Sequence, residues 1–118
     1  MIVYKEKVFD GILRNTTELF TEVRWDETLG SADNATVEVE VEDVISGTAT
    51  LTVRWWHSNS GKEFVVLATL VSGASLASLP FRGIYNQAGP YGSLGRIGLM
   101  LSTTGVVRAR VWVTGRSS

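Results

Sequence analysis

Between residues 36 and 64 apolar and polar positions alternate one for one in two consecutive runs. Val37, Val39 and Val41 interleave with Glu38, Glu40 and Glu42; Ala49, Leu51, Val53 and Trp55 interleave with Thr48, Thr50, Thr52 and Arg54. Successive side chains of a β-strand point to opposite faces, so each run has one face for a core and one for water. The segment 43–47 between them has the length of a hairpin connection. With Trp55 continuing the buried row, Trp56 and His57 straddle the two faces near the strand end.

The rest of the chain follows the same period less regularly. Residues 2–9 read as a first strand, placed at an edge where Lys5 and Lys7 discourage pairing with another chain. Asp10-Gly11 is a turn signal. Residues 15–25 fit a short helix or a strand; Leu19, Thr21, Val23 and Trp25 on one face favour the strand. Residues 26–34 are polar, contain Gly30 and read as a loop. Ser58-Asn59-Ser60-Gly61-Lys62 is a strong turn. Residues 63–71 form a more continuous apolar run, which suits a central strand buried on both sides or a strand at an interface.

Ser72-Gly73 reads as a further turn, and 74–81 as a short strand ending at Pro80, which cannot donate to a ladder. A long loop over 82–94 follows. Strands 96–102 and 106–114 then make a last hairpin about Thr103-Thr104-Gly105. About eight short strands with turns every ten residues or so predict an all-β protein. The expected architecture is a single-domain antiparallel β-sandwich, jelly-roll-like, over residues 1–118.

Composition narrows the functional classes. The chain has 118 residues, 44% hydrophobic and 19% charged, with eleven basic and twelve acidic side chains. That balance leaves no electrostatic footprint for nucleic acid. Without cysteine, disulfides and thiolate metal sites are excluded. No apolar run approaches the roughly 20 residues a bilayer span needs. The first residues carry no signal-peptide pattern, so cytoplasmic synthesis is expected, and the glycosylation patterns at Asn15 and Asn34 are expected to go unused.

No constellation of catalytic residues stands out. Glu38, Glu40 and Glu42 lie about 7 Å apart along one strand face, a spacing that would suit an inverting glycosidase only inside a pocket. A solvated face, or an interface partner for Arg108 and Arg110, is the plainer account. His57, Ser58, Ser60 and Asp43 are the residue types of a triad, but no Gly-x-Ser-x-Gly elbow accompanies them. Gly89, Gly92, Gly95 and Gly98 lead into a strand rather than a helix, unlike a phosphate loop. No catalytic residue, metal ligand or cofactor is therefore assigned. Trp56 and Trp112, with Arg54, Arg108 and Arg110 on their strands, are the residue types of interface hot spots. Tyr85 and Tyr91 join them as candidates for stacking on a partner or a sugar ring.

The segment Ala-Thr-Leu-Thr-Val-Arg-Trp-Trp-His-Ser-Asn-Ser-Gly-Lys-Glu-Phe, residues 49–64, resembles small phage and prophage virion proteins. In those a strand ends in a Ser-x-(Asp/Ser)-Gly turn and an aromatic residue opens the next strand. Residues 94–115 are similar to their closing glycine-centred hairpin. The likeness covers about residues 36 to 116, with Ser60 standing where an Asp often precedes the glycine. It implies a capsid-surface or tail-associated β-sandwich in the virion, usually oligomeric, with no reaction to catalyse. The expected function is thus structural assembly, with itself and a capsid or tail protein as partners. The alternative is a carbohydrate-binding module using the exposed tryptophans and tyrosines.

Overall fold

In a computed structural model, which describes residues 2–14, 17–23, 34–47, 49–60, 62–76, 80–88, 94–102 and 105–117, every regular element is a strand. In chain order these are β1 (Ile2–Leu13), β2 (Leu19–Val23), β3 (Asn34–Ser46) and β4 (Thr50–Ser58). They are followed by β5 (Val65–Ser75), β6 (Phe81–Ala88), β7 (Leu94–Leu101) and β8 (Val106–Arg116). Two four-stranded antiparallel sheets form, one in the order β1-β8-β3-β6 and the other β2-β7-β4-β5. That alternation of strands between two sheets is a jelly roll, the architecture the strand count and turn spacing predict.

Period-two burial builds the core. Val37, Val39 and Val41 of β3, and Val107, Ala109, Val111 and Val113 of β8, face Leu51, Val53 and Trp55 of β4 and Ile97, Leu99 and Leu101 of β7. All but Ala109 of these are completely buried, so the alternation reads off the sequence face by face. Small β-branched residues line one sheet and larger Leu, Ile and Trp the other. This combination lets the layers interdigitate at native density.

Several sequence expectations change. The connections after β3 and after β7 do not make hairpins, because β3 and β8 lie in one sheet and β4 and β7 in the other. Only β4 and β5 are both consecutive and paired. Asp10-Gly11 is not a turn: β1 runs on to Leu13, with Gly11 opposite Ala109. Nor does Ser72-Gly73 reverse the chain. Gly73 takes a φ of 61° within β5, at an irregularity in the β4 register between Leu51 and Val53. Positive φ is a conformation glycine adopts without steric cost, so a bulge uses the same residue a turn would.

The expected loop over 82–94 contains β6, whose alternation of half-buried and exposed residues marks an edge strand. Residues 74–81 divide between the end of β5 and the start of β6. β5 itself is an edge of its sheet, not a central strand. The expectation of an edge strand at the N-terminus agrees with the position of β1, and Leu19–Val23 is a strand. The loop expected over 26–34 lies largely outside the described residues.

Candidate functional site

The outer face of the β2-β7-β4-β5 sheet gathers the residues with most capacity for recognition. Register places Phe20 of β2 opposite Gly98 of β7, and Gly98 opposite Arg54 of β4. Because Gly98 has no side chain, Glu18 lies across β7 and reaches the next strand. An added Cβ there would stand 2.5 Å from Glu18 Cδ and 2.7 Å from its Cγ. On β4 the Glu18 carboxylate accepts from Trp56 Nε1 at 2.8 Å and Arg54 Nε at 3.1 Å, and it pairs with the second Arg54 nitrogen, Nη2. The carboxylate is 11% exposed and satisfied from three directions, which compensates the cost of taking a charge out of water.

Aromatic rings surround this ion pair. The Arg54 guanidinium carbon sits 4.9 Å from the Trp56 ring centroid, and Phe20 meets Trp56 edge-on at 5.6 Å with an interplanar angle of 82°. Arg96 of β7 lies 5.1 Å from the Phe20 centroid and 3.7 Å from that of Phe64. Both distances fall within cation–π range. Arg96 Nε is buried without a hydrogen-bond partner among the described residues. Phe20 is 41% exposed and Val66, opposite Trp56, is 38% exposed. The result is a flat patch of aromatic rings and arginines whose side chains hold one another in place.

The outer face of the other sheet has different chemistry. Arg110 of β8 pairs with Glu40 at 3.1 Å, Glu42 at 3.0 Å and Asp10 at 3.4 Å. Arg82 reaches Glu40 at 3.2 Å and Lys7 reaches Asp10 at 3.1 Å. Glu42, then Asp10 and Glu40, hold the Arg110 guanidinium more firmly charged than usual. The hydrogen bond from Lys7, with the charges of Lys7 and Arg110, holds Asp10 below the usual carboxylate range. Glu40 and Glu42 are thus tied into an ion-pair ladder across four strands. Trp112 lies in the same face, with Lys7 Nζ 5.9 Å from its ring centroid and Glu38 and Lys7 as its register neighbours.

The candidate residues are therefore split. Arg54 and Trp56 lie on one outer face; Arg108, Arg110 and Trp112 lie on the opposite one. Arg108 is exposed beside Asp43 in register. Tyr85 turns inward on β6, opposite Val37, and its ring lies over Gly83. Burial raises its phenol above the ordinary value. Tyr91 lies outside the described residues. His57 and Ser58 belong to β4 while Asp43 belongs to β3 of the other sheet, so no triad is assembled from them. Ser60 Oγ instead accepts from the backbone N–H groups of Lys62 at 3.1 Å and Glu63 at 3.4 Å, which closes the turn. Among the described residues, no group of three His, Cys, Asp or Glu could hold a metal ion, and no helix is long and apolar enough to cross a membrane.

Glu18, Phe20, Phe64 and Arg96 are absent from the sequence-derived candidates. Same-parity placement of Glu18 and Phe20 was visible, but their approach to Trp56 depends on β7 lying between β2 and β4. That order has no local signature.

No family model and no curated protein matches the chain. Among solved structures it is similar to the N-terminal part of endo-1,4-β-D-xylanase 10B of Clostridium thermocellum, containing its CBM22-1 and GH10 modules in complex with xylohexaose. The TM-score is 0.44 at 12% identity, over 97% of this chain and 26% of that one. The chain thus spans about a quarter of the length of that protein.

Proposed function

We propose that this protein is a non-enzymatic assembly module that docks on other protein surfaces through the outer face of its β2-β7-β4-β5 sheet. One observation carries the reading: Arg96 is held between Phe20 and Phe64 beside a Trp56 already fixed by Glu18. Tryptophan and arginine dominate interface hot spots. Here they are ordered before any partner arrives, so little side-chain entropy is lost on contact. Phe20 and Val66 provide the apolar area such a contact would bury. A virion coat or tail assembly, with copies of itself and a capsid or tail protein as partners, is the form the sequence resemblance implies.

Light scattering on a sizing column tests this. The expected result is an oligomer at high micromolar concentration that dissociates in the Phe20→Ala/Trp56→Ala variant. A strictly monomeric wild type that also fails to join a capsid or tail protein overturns it. The second reading, carbohydrate binding, draws on Trp112, which has Glu38 and Lys7 beside its ring and Thr36 and Asn86 hydrogen-bonded at 3.0 Å one row away. A glycan that shifts tryptophan fluorescence in wild type but not in Trp112→Ala would favour it. No shift across a glycan panel removes it.

A further inference from the structure

Among the described residues, β5 is an edge strand that carries no charge. From Phe64 to Phe81 the sequence contains no Lys, Arg, Asp or Glu. Natural edge strands are blunted by charge, shortness, cover or bulges, and of these β5 has bulges alone. The edge β1 carries Lys5, Lys7 and Asp10, β6 carries Arg82, and β2 is only five residues long. β5 has 11 residues, an edge about 36 Å long at roughly 3.3 Å per residue. Its Val65 is 58% exposed and Val66 38%. One side of β5 pairs with β4, and among the described residues no strand of this chain lies on the other.

Resting on the assembly reading above, we propose that β5 pairs antiparallel with β5 of a second copy about a two-fold axis. Charge argues for self over a charged peptide. The neutral strand meets a neutral strand, and Lys62 and Glu63, just before β5, fall beside the neutral Ser72–Ser75 end of the other copy. No like charges oppose each other. Against β4 the register of β5 slips at Leu70 and at Leu67 as well as near Gly73. Pairing with a second copy is therefore confined to the short stretches between these bulges. It gives fewer interstrand hydrogen bonds than the roughly seven of a regular Val65–Val71 ladder, toward the low end of the range for a specific interface. Two four-stranded sheets become one of eight. The two β4 strands then lie three strand spacings apart, about 14 Å, with both aromatic patches on the same side.

The chain has no cysteine, so single-cysteine variants report contact without background. Directly opposed residues of an antiparallel pair lie about 4.5–5.5 Å apart at Cα, within disulfide reach, and only the residue at the axis opposes itself. Val66→Cys, Ala68→Cys and Thr69→Cys are oxidised gently, with Lys7→Cys on β1 as control. Disulfide dimer is expected to concentrate in one β5 variant or two neighbours and to be absent from the control. In Val65→Lys the light-scattering mass is expected to fall by half. An oligomeric wild type that crosslinks no better at β5 than at β1 overturns β5 pairing and leaves the assembly reading standing. A wild type that stays monomeric but still binds a capsid or tail protein does the same. One that stays monomeric and binds neither overturns both. If Val65→Lys fails to fold, the cysteine series alone decides.

Discussion

Replacing Gly98 by Ala tests whether the recognition face depends on a missing side chain. The backbone at Gly98 is not in the positive-φ region, so alanine fits the strand itself. The new Cβ would instead overlap Glu18, standing 2.5 Å from its Cδ, and force that side chain away from β4. Trp56 Nε1 and Arg54 would each lose their carboxylate partner. A hydrogen bond to a charged group contributes about 1.5–3 kcal/mol. Arg54 is 31% exposed and regains water, so we count one such contact, about 2 kcal/mol, and discount the rest. Alanine returns up to about 1 kcal/mol through the unfolded chain. The net loss is about 1–2 kcal/mol, or roughly 4–8 °C in Tm for a domain of this size.

Thermal unfolding followed by circular dichroism reads the shift, and a double-mutant cycle with Glu18→Ala assigns it. With Glu18 already removed, nothing obstructs the Cβ, and Gly98→Ala should be neutral or slightly stabilising. Equal destabilisation in both backgrounds would refute the reasoning, because the clash would then lie elsewhere. No destabilisation in the wild type would show that the Glu18 contacts add nothing net.

The adjacent tryptophans should respond differently to truncation. Trp55 is completely buried, so Trp55→Ala is expected to cost about 3–5 kcal/mol in denaturant titration. Trp56→Ala, which removes a half-buried surface ring, should cost less than half as much while lowering the mass of the oligomer through loss of contacts at the aromatic face. Asp10 is held below its ordinary range by Lys7 and Arg110, so its contribution is present above that range and lost as pH falls through the lowered value. The Tm difference between wild type and Asp10→Asn should therefore be constant near neutrality, begin to shrink near about pH 4 and disappear only once pH has fallen through the lowered value. Tyr85 is shifted the other way by burial, so its neutral form is favoured and stability falls as pH rises past the unfolded tyrosine value. In ultraviolet titration Tyr85→Phe should remove a phenol step lying above the ordinary tyrosine value; loss of a step at or below that value contradicts the placement.

The layers were legible because burial obeys period two: Val37, Val39 and Val41 of β3 and each odd residue of β4 from Leu51 to Trp55 lie inside as their parity requires. The outward placement of Trp56 and Trp112 followed from the same rule. What parity does not carry is which strand lies beside which. The connections expected at 43–47 and 103–105 are short enough for hairpins, yet β3 runs on through Ser46 and the chain crosses to the other sheet after it, as it does after β7. Short connections suit a corner as well as a reversal. β6 escaped notice because its inward row is Phe81, Gly83, Tyr85 and Gln87, only half of it strongly apolar, as an edge position tolerates. The partnership of Glu18 with Arg54 and Trp56 was out of reach for the same reason. It spans 36 and 38 residues and exists only because a glycine occupies the strand between.

The position of β8 has a bearing on biogenesis. It sits between β1 and β3, so during synthesis β1 has no neighbour in its own layer until nearly the whole described chain has left the ribosome. β2 waits likewise for β7, and β4, already paired with β5, lacks its second neighbour until then. A nascent chain halted before these two closing segments holds only the β3–β6 and β4–β5 ladders, with most of its valines still facing water. Cooperative completion should therefore come late and all at once, and C-terminal shortening by a dozen residues should leave insoluble product rather than a weakened domain.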